Sequence, residues 1–310
     1  MEKKKKSRIL VIGATGGLGF LIANASLEAS HPTFALVRDS AFSHPDKSNK
    51  IQSLSNSGAF ILKGSLQDEA TLLEAVKQVD IVICTVPSKQ ALDQKLLISV
   101  IKQAGCIKRF IPSEFGSDPD KSQISGIDNN FYENKSVIRR FMETEGIPYT
   151  IISCNFFMSY LLPSLVQPGQ KKPPTENITI FGDGNVKGVF MNKVDVAAFA
   201  IRAVDDPRTL NKVVYLRPPG NVCSLHDLVN LWEGKIGKKL QKIYLLEEDV
   251  LRKIKETTFA DHSELLFIYS AFIKGDHTYF DIESSGGVDG TKIYPDFKYT
   301  TITEFLDTLL

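Results

Sequence analysis

The chain has 310 residues, of which 43% are hydrophobic, and its 37 basic and 36 acidic residues give a formal net charge of +1. Single cores stop growing at about 250–300 residues, so this length predicts one large domain plus a smaller lobe. The balanced charge argues against a nucleic-acid or membrane surface as the main partner. No apolar stretch approaches the length of a membrane span.

The cysteines and histidines predict a reduced cytoplasmic protein without a metal site. Cys84, Cys106, Cys154 and Cys223 are widely spaced and form no C-x-x-C pair, and the histidines show no metal-ligand spacing. Cys84 and Cys154 lie in apolar runs, which predicts that they are core residues. The basic run 3–6 leads directly into a predicted strand without an apolar signal core, so we interpret it as a solvated tail.

Residues 8–27, RILVIGATGGLGFLIANASL, are the most informative stretch of the chain. A β-branched run leads into three spaced glycines and then into an apolar helical segment. That order of strand, tight turn and helix start brings backbone N–H groups and a positive helix end against a dinucleotide pyrophosphate. The predicted cofactor contacts in this stretch are Gly13, Thr15, Gly16, Gly17, Leu18 and Gly19.

The next predicted strand, residues 33–37, ends at Arg38, where NAD-preferring domains place an acidic residue. An arginine there can meet a 2′-phosphate with charge-assisted hydrogen bonds, whereas an aspartate would repel it. The predicted cofactor is therefore NADPH. Lys47, in a polar stretch 43–50 that we interpret as a loop, could supply a second positive charge.

Strands and helices then alternate, which predicts a parallel sheet covered on both faces, a doubly wound Rossmann fold. The predicted elements are strand 59–63, helix 68–78, strand 80–85, helix 92–104, strand 109–112, helix 130–145 and strand 149–153. Ligands of such sheets bind at the carboxyl ends of the strands. The cofactor contacts that we assign to those ends are Thr85, Val86, Gln90 and Ser113, and we predict Asn155 and Phe156 as further contacts.

Lys135 lies near the start of the predicted helix 130–145. Tyr132 is only three residues before it and Phe131 is four before it, so a tyrosine–lysine acid–base pair with one-turn spacing is not predicted. The regular alternation ends after Asn155. We therefore predict an NADP-binding domain over 1–155 and a mainly substrate-binding lobe over 156–310, with some segments of the lobe returning to the sheet.

Several motifs resemble those of plant isoflavone reductase-like proteins, which are NmrA-like, atypical short-chain dehydrogenases. That group includes phenylcoumaran benzylic ether, pinoresinol–lariciresinol and leucoanthocyanidin reductases and eugenol synthases. The resemblance extends from about residue 7 to the C-terminus. The motifs that carry it are VIGATG (11–16), HPT (31–33), KRF (108–110), PSEFG (112–116), GIPY (146–149), GDGN (182–185), DDPRTLN (205–211), KGDH (274–277) and YP (294–295).

The resemblance implies an NADPH-dependent reductase of a plant phenolic, and it places the active lysine, just before an Arg-Arg pair, on Lys135. As a general base, Lys135 would remove the phenol proton and help expel a benzylic or allylic oxygen, giving a quinone methide that accepts hydride. Lys135 would also contact the cofactor. The predicted substrate contacts are Phe115, Tyr132, Phe157, Met158, Tyr160 and His277.

Two departures from the family pattern bear on the substrate. Gly17 stands where relatives usually carry a large residue, and Ser117 replaces the histidine of leucoanthocyanidin reductases, so that activity is not favoured. The sequences of the loops 85–90 and 125–130 also differ from the usual family pattern. A eugenol or isoeugenol synthase acting on a phenylpropenyl ester and a non-catalytic NADP(H) sensor are alternatives. The expected partner is a small phenolic molecule, and a homodimer is left open.

Overall fold

The computed structural model describes residues 6–256 and 258–310, so of the basic run 3–6 only Lys6 lies within the described residues. The strands are β1 (Ile9–Ile12), β2 (Thr33–Val37), β3 (Phe60–Lys63), β4 (Ile81–Cys84), β5 (Arg109–Ile111), β6 (Thr150–Ser153), β7 (Phe156–Phe157), β8 (Asn177–Phe181), β9 (Lys187–Met191), β10 (Lys212–Tyr215), β11 (Val222–Ser224), β12 (Gln241–Leu245) and β13 (Val288–Asp289).

The helices alternate with the strands in the first part of the chain and cluster in the last part. They are α1 (Gly17–Glu28), α2 (Asp39–Phe42), α3 (Pro45–Asn56), α4 (Glu69–Val76), α5 (Gln94–Ala104), α6 (Phe131–Thr144), α7 (Met158–Leu161), α8 (Lys193–Ala203), α9 (Leu225–Ile236), α10 (Glu247–Glu256), α11 (Phe259–Phe272), α12 (Gly290–Ile293) and α13 (Ile302–Asp307).

The chain divides into two compact units, and the first comprises Met1–Phe115, Asn134–Ile152 and Lys193–Val214. Its parallel sheet has the order β3-β2-β1-β4-β5, with Ile9 opposite both Thr33 and Ile81. Every residue of β1 and β4 is buried, because helices cover both faces of the sheet. The predicted α/β fold with a parallel sheet is confirmed.

Arg109 ties β5 to the segment 193–214, which returns to the first unit after a long excursion. Its buried guanidinium donates hydrogen bonds to Thr209 Oγ1 (2.7 Å) and to the carbonyl oxygen of Asp206 (2.9 Å). In the same segment α8 packs on α1, and β10 is a sheet neighbour of β6. These contacts complete the first unit with residues that lie far along the chain.

The second unit comprises Gly116–Glu133, Ser153–Asn192 and Tyr215–Leu310. In it β9 pairs in parallel with β7 and antiparallel with β11, while β12 pairs in parallel with β8. Residues 116–133 thus join the second unit although they precede position 155. The reason is hydrophobic: Ile124 and Tyr132 are buried in the core of this unit, together with side chains of α7, α9 and α11.

The polar stretch 43–50, interpreted from the sequence as a loop, is largely helical, so that prediction was wrong. Pro45 starts α3, and proline fits the first turn of a helix because its missing N–H would have no partner there. Ile51 and Leu54 then form the buried side of the helix. A predominantly polar sequence with two apolar residues at helical spacing was mistaken for a loop.

The cysteines follow the sequence-based expectation, because Cys84 and Cys154 are buried and unbridged. Burial raises the pKa of the Cys84 thiol to about 12. Across residues 6–256 and 258–310, leaving aside the side chains of 259–262, no group of side chains is arranged to hold a metal ion. No helix in the same ranges combines the length and the apolar character needed to cross a membrane.

Candidate active site

The turn between β1 and α1 presents backbone donors to a ligand. Gly13 has a φ of +87°, and its carbonyl accepts a hydrogen bond of 2.8 Å from the N–H of Gly16. Gly16 is the N-cap of α1 and offers no side chain to cap the helix. The N–H groups of the first helical turn and the positive helix end are therefore available to an anion such as a pyrophosphate.

Two positions of this turn require glycine, whereas a third has room for a larger side chain. A Cβ on Gly13 would lie 2.7 Å from Thr85 Oγ1, and a Cβ on Gly19 would overlap the Gly13 carbonyl oxygen. Around Gly17, by contrast, no atom lies within 4 Å of where a Cβ would stand. Gly13 and Gly19 therefore allow the close packing of the turn, and Gly17 faces open space.

Thr85, a predicted cofactor contact, helps to pack the turn. Its N–H and its hydroxyl both donate hydrogen bonds of 2.9 Å to the carbonyl oxygen of Ile12. These bonds hold the end of β4 against the end of β1, so at least part of the side chain's hydrogen-bonding capacity is used inside the first unit.

Three cations lie on the segment that follows β2, and only Arg38 and Lys47 were predicted cofactor contacts. Arg38 is exposed at the end of β2, and Lys47 is half-buried in α3. Lys50 donates a hydrogen bond of 3.3 Å to the Thr15 carbonyl oxygen and lies 5.6 Å from the centre of the Phe20 ring. Lys50 was not predicted as a cofactor-site residue because residues 43–50 were interpreted as a loop. In a helix, residues three apart such as Lys47 and Lys50 share a face.

Hydrogen bonds tie the ends of β4 and β5 together. The Ser113 hydroxyl donates to the Val86 carbonyl oxygen (2.7 Å), and the Ser113 N–H donates to Oε1 of the buried Gln94 (2.8 Å). Val86 and Ser113, both predicted cofactor contacts, thus lie next to each other where β4 and β5 end. Gln90, a further predicted contact, lies in a short 3-10 helix, Ser88–Asp93. Gln94 was not predicted, since a single glutamine at a helix start carries no distinguishing pattern.

Lys135 is held in a buried polar cluster at the end of β5. Only 5% of its surface is exposed, and its ammonium donates a hydrogen bond of 3.1 Å to the carbonyl oxygen of Glu114. One helical turn later, Arg139 binds the Glu114 carboxylate through Nε (2.9 Å) and a terminal nitrogen (2.6 Å), with both side chains buried. The ion pair fixes Glu114, and the backbone of Glu114 in turn positions the lysine. Phe115, the adjacent predicted substrate contact, is half-buried.

His277, a predicted substrate contact, is a buried residue of the second unit. Its Nδ1 accepts a hydrogen bond from the Val189 N–H (3.1 Å), which assigns the proton to Nε2, and Nε2 donates to Ser117 Oγ (2.9 Å). Burial lowers the pKa of His277 to about 3, and the positive charge of Arg217 adds to this effect. The imidazole is therefore neutral and both ring nitrogens are used.

Tyr132 is connected to His277 through Ser117, because both side chains hydrogen-bond with that serine. It is buried, its backbone N–H donates to Asp128 (2.8 Å), and its ring lies edge-on to Phe267. Burial raises the pKa of its phenol to about 12, partly offset by hydrogen bonds with Ser117 and Ser270. Tyr132 is therefore protonated at neutral pH and acts as a hydrogen-bonding group.

The predicted contacts after β6 separate into core and accessible residues. Phe156 and Met158 are buried, with the Phe156 ring 4.5 Å from that of His277, whereas Phe157 is half-buried and Tyr160 is 41% exposed. Asn155 has a φ of +56°, and its N–H donates to the Gly116 carbonyl oxygen (3.0 Å). Among the described residues, its buried Nδ2 has no hydrogen-bond partner, which makes it a donor that a ligand oxygen could satisfy.

The NmrA-like family matches residues 5–306. The chain belongs to that family. This NmrA-like chain is 62% identical over 309 residues to a probable pinoresinol-lariciresinol reductase 3 of Arabidopsis thaliana, covering 100% of this chain and 99% of the relative.

Solved structures resemble the NmrA-like chain over its whole length. A crystal structure of isoflavone reductase has a TM-score of 0.94 and 41% identity, covering 98% of this chain and 100% of that one. A structure of AtPrR2 with NADP+ and (+)pinoresinol has a TM-score of 0.93 and 34% identity, covering 99% and 100%. The family and the fold that the motifs indicated are confirmed.

Proposed function

We propose that this NmrA-like chain is an NADPH-dependent reductase of a plant phenolic of phenylpropanoid or isoflavonoid origin. The observation that carries the proposal is the buried Lys135, held by the Glu114 carbonyl at the carboxyl end of β5. This edge of a parallel sheet is where ligands of α/β folds bind. The relatives reported above, described as reductases and in one case solved with NADP+ and pinoresinol, support this assignment.

The first unit fits the cofactor. The uncapped start of α1 offers N–H groups to a pyrophosphate, and the open space at Gly17 lets a ligand approach the backbone closely. Arg38 and Lys47 supply positive charge for a 2′-phosphate, and Lys50 holds the turn through the Thr15 carbonyl. A cation in place of the usual acidic residue after β2 favours NADPH over NADH.

In this proposal the chemistry depends on proton transfer by Lys135. A base must hold its neutral amine form, and burial disfavours the charged form of an amine. The neutral amine takes the phenolic proton, and the phenolate electrons expel the benzylic or allylic oxygen, which leaves a quinone methide. With NADPH bound, the carbon that lost the oxygen would accept a hydride from it, which restores the phenolate. The phenolate would take its proton back from Lys135, and the expelled oxygen would take a proton from solvent.

The second unit contributes the apolar character expected for an aromatic substrate. Of the predicted substrate contacts in this unit, Phe157 is half-buried and Tyr160 is exposed, whereas Met158 and His277 are buried in the core, as is the predicted cofactor contact Phe156. We infer that the accessible residues contact the substrate and that the buried ones support their positions. Phe115 and Tyr132 remain predicted contacts of the substrate.

The test is NADPH consumption by the purified protein with a phenylcoumaran lignan, pinoresinol, an isoflavone and coniferyl acetate, with products identified by mass. We expect a lignan or the isoflavone to gain two hydrogens, and NADH to replace NADPH poorly. Turnover of coniferyl acetate alone would replace the proposal with a eugenol-type synthase. Tight NADPH binding without any turnover would instead indicate a cofactor sensor.

A further inference from the structure

Lys50 is a half-buried cation of α3 that lies beside the start of α1. Its ammonium donates to the Thr15 carbonyl oxygen (3.3 Å) and lies 5.6 Å from the centre of the Phe20 ring. Neither contact neutralises the charge, and among the described residues Lys50 forms no ion pair with a carboxylate. Partial burial of a charge is unfavourable unless the charge is paired, so the position of Lys50 favours an anion that the chain itself does not supply.

The peptide group between Thr15 and Gly16 is hydrogen-bonded at both ends. Its carbonyl oxygen accepts from Lys50, and its N–H donates to the Gly13 carbonyl oxygen (2.8 Å). Because a peptide group is planar, bonds on its two opposite sides fix its orientation. Gly16 is the N-cap of α1, so Lys50 helps to set the direction of the free N–H groups in the first turn of that helix.

The place of this charge also points to a bound anion. A cation near the start of a helix opposes the positive end of the helix dipole. The first turn of α1 contains no acidic residue, and its N-cap has no side chain that could offset the charge. Gly16 and Gly17 are exposed, so an anion from solvent can reach this turn. Such an anion would be stabilised by the helix start and by Lys50 together.

We propose that Lys50 determines the affinity of the chain for the pyrophosphate of the dinucleotide. This inference rests on the proposed binding of NADPH and adds a residue that recognises the part common to NADPH and NADH. Lys50 bonds to the glycine turn itself, whereas Arg38 lies at the end of β2, where a 2′-phosphate is recognised. Lys50 therefore strengthens the binding of both cofactors, and Arg38 strengthens that of NADPH alone.

The test compares Lys50→Met with Arg38→Met. Methionine keeps an unbranched apolar side chain near Phe20 and removes the charge. We expect Lys50→Met to raise the Kd values of NADPH and NADH, measured by fluorescence titration, by about tenfold each, the loss of one charge-assisted contact. Its affinity for adenosine 2′-phosphate, which lacks the pyrophosphate, should stay unchanged. Arg38→Met should show the opposite pattern, with weaker binding of NADPH and adenosine 2′-phosphate and unchanged binding of NADH.

Three controls separate the charge from folding. Lys50→Arg should retain most of the affinity, because it keeps a cation at this position. Lys77→Met, at an exposed lysine directly after α4, should leave the binding of all three ligands unchanged. The urea midpoint of ligand-free Lys50→Met should equal that of the wild type, since relief of the repulsion at the helix start offsets the lost hydrogen bond.

The possible outcomes distinguish this inference from the proposed function. Weaker binding of NADPH without weaker binding of NADH would assign Lys50 to the 2′-phosphate and overturn the inference. A lower urea midpoint together with weaker binding of adenosine 2′-phosphate would make Lys50 a structural residue and overturn it as well. Wild-type affinity of Lys50→Met for both cofactors would overturn it while leaving the reductase proposal, which turnover tests, intact. A wild-type chain that binds no NADPH would overturn both.

Discussion

If Lys135 is the general base that we propose, changing it should separate catalysis from cofactor binding. Lys135→Met keeps the length and most of the volume of the side chain while removing the amine. We expect turnover to fall by about 10²–10⁴-fold, the usual contribution of one acid–base group. The Kd for NADPH, measured by fluorescence titration, should change little, because the turn and the cations of the first unit are untouched.

Lys102→Met is the control for the Lys135 substitution. Lys102 is a mainly exposed lysine paired with Glu145 (2.7 Å), so its loss should leave turnover unchanged. If Lys135→Met retained full turnover, the amine would have no part in the reaction. A parallel loss of NADPH affinity would instead assign Lys135 to cofactor binding alone.

His277 makes the free energy of unfolding depend on pH. Its pKa is about 3 in the folded chain, against an ordinary value of 6.5. Below pH 6.5 the imidazole therefore binds a proton in the unfolded state but not in the folded state. The free energy of unfolding consequently falls as the pH decreases toward 3. The contribution is about 1.4 kcal/mol per pH unit, and above pH 6.5 it is constant.

Urea unfolding of the wild type and of His277→Gln checks this pH effect. The wild-type free energy of unfolding should decrease more steeply than that of the variant between about pH 6.5 and pH 5. His44→Gln, at an exposed position before α3, should follow the wild type at every pH. Parallel curves for the wild type and His277→Gln would mean that the imidazole is accessible to protons in the folded chain.

At the scale of the element, the β1–α1 turn offers a matched pair of substitutions. In Gly19→Ala the new methyl group overlaps the Gly13 carbonyl, so we expect a loss of about 1–3 kcal/mol of stability and of most NADPH affinity. Gly17→Ala meets no atom within 4 Å, so stability should change by less than about 1 kcal/mol. Urea midpoints and NADPH titrations measure both effects, and equal behaviour of the two variants would contradict this account of the turn.

The first elements could be predicted from the sequence because local pattern and tertiary role agree there. An apolar run, spaced glycines and an apolar helical segment describe β1, the turn and α1 in the order in which they occur. α3 was missed because two buried residues in a polar sequence give a weak period. Because α3 was not predicted, the contact of Lys50 with Thr15 was not predicted either, since it depends on that helix.

The polar contacts of the site were the least predictable part. Ser117 and His277 are 160 residues apart, and nothing in either local sequence indicates their hydrogen bond. Lys135 was predicted from its motif, whereas its hydrogen bond to the Glu114 carbonyl and the Arg139–Glu114 ion pair became visible only in the fold. Tertiary contacts of this kind follow from topology, which single-sequence patterns determine only weakly.

At the scale of the whole molecule, the chain alternates between its two units. The first unit takes its last segment from residues 193–214, and the second takes its first from 116–133. A cut after residue 155, the boundary predicted from the sequence, would remove α8 and β10 from the first unit. It would also leave 116–133 without the core in which Ile124 and Tyr132 are buried.

A fragment of residues 1–155 should therefore fail to fold cooperatively, although it contains the complete five-stranded sheet. Without 193–214, the face of α1 that packs on α8 is exposed, and the buried Arg109 loses its acceptors at Thr209 and Asp206. Each lost hydrogen bond removes about 0.5–1.5 kcal/mol in addition to the lost burial between α1 and α8, against a total stability of about 5–15 kcal/mol for a domain. Urea unfolding followed by circular dichroism, with the full chain as control, should show a broad transition for the fragment. A sharp transition matching that of the full chain would mean that the first 155 residues form an autonomous domain.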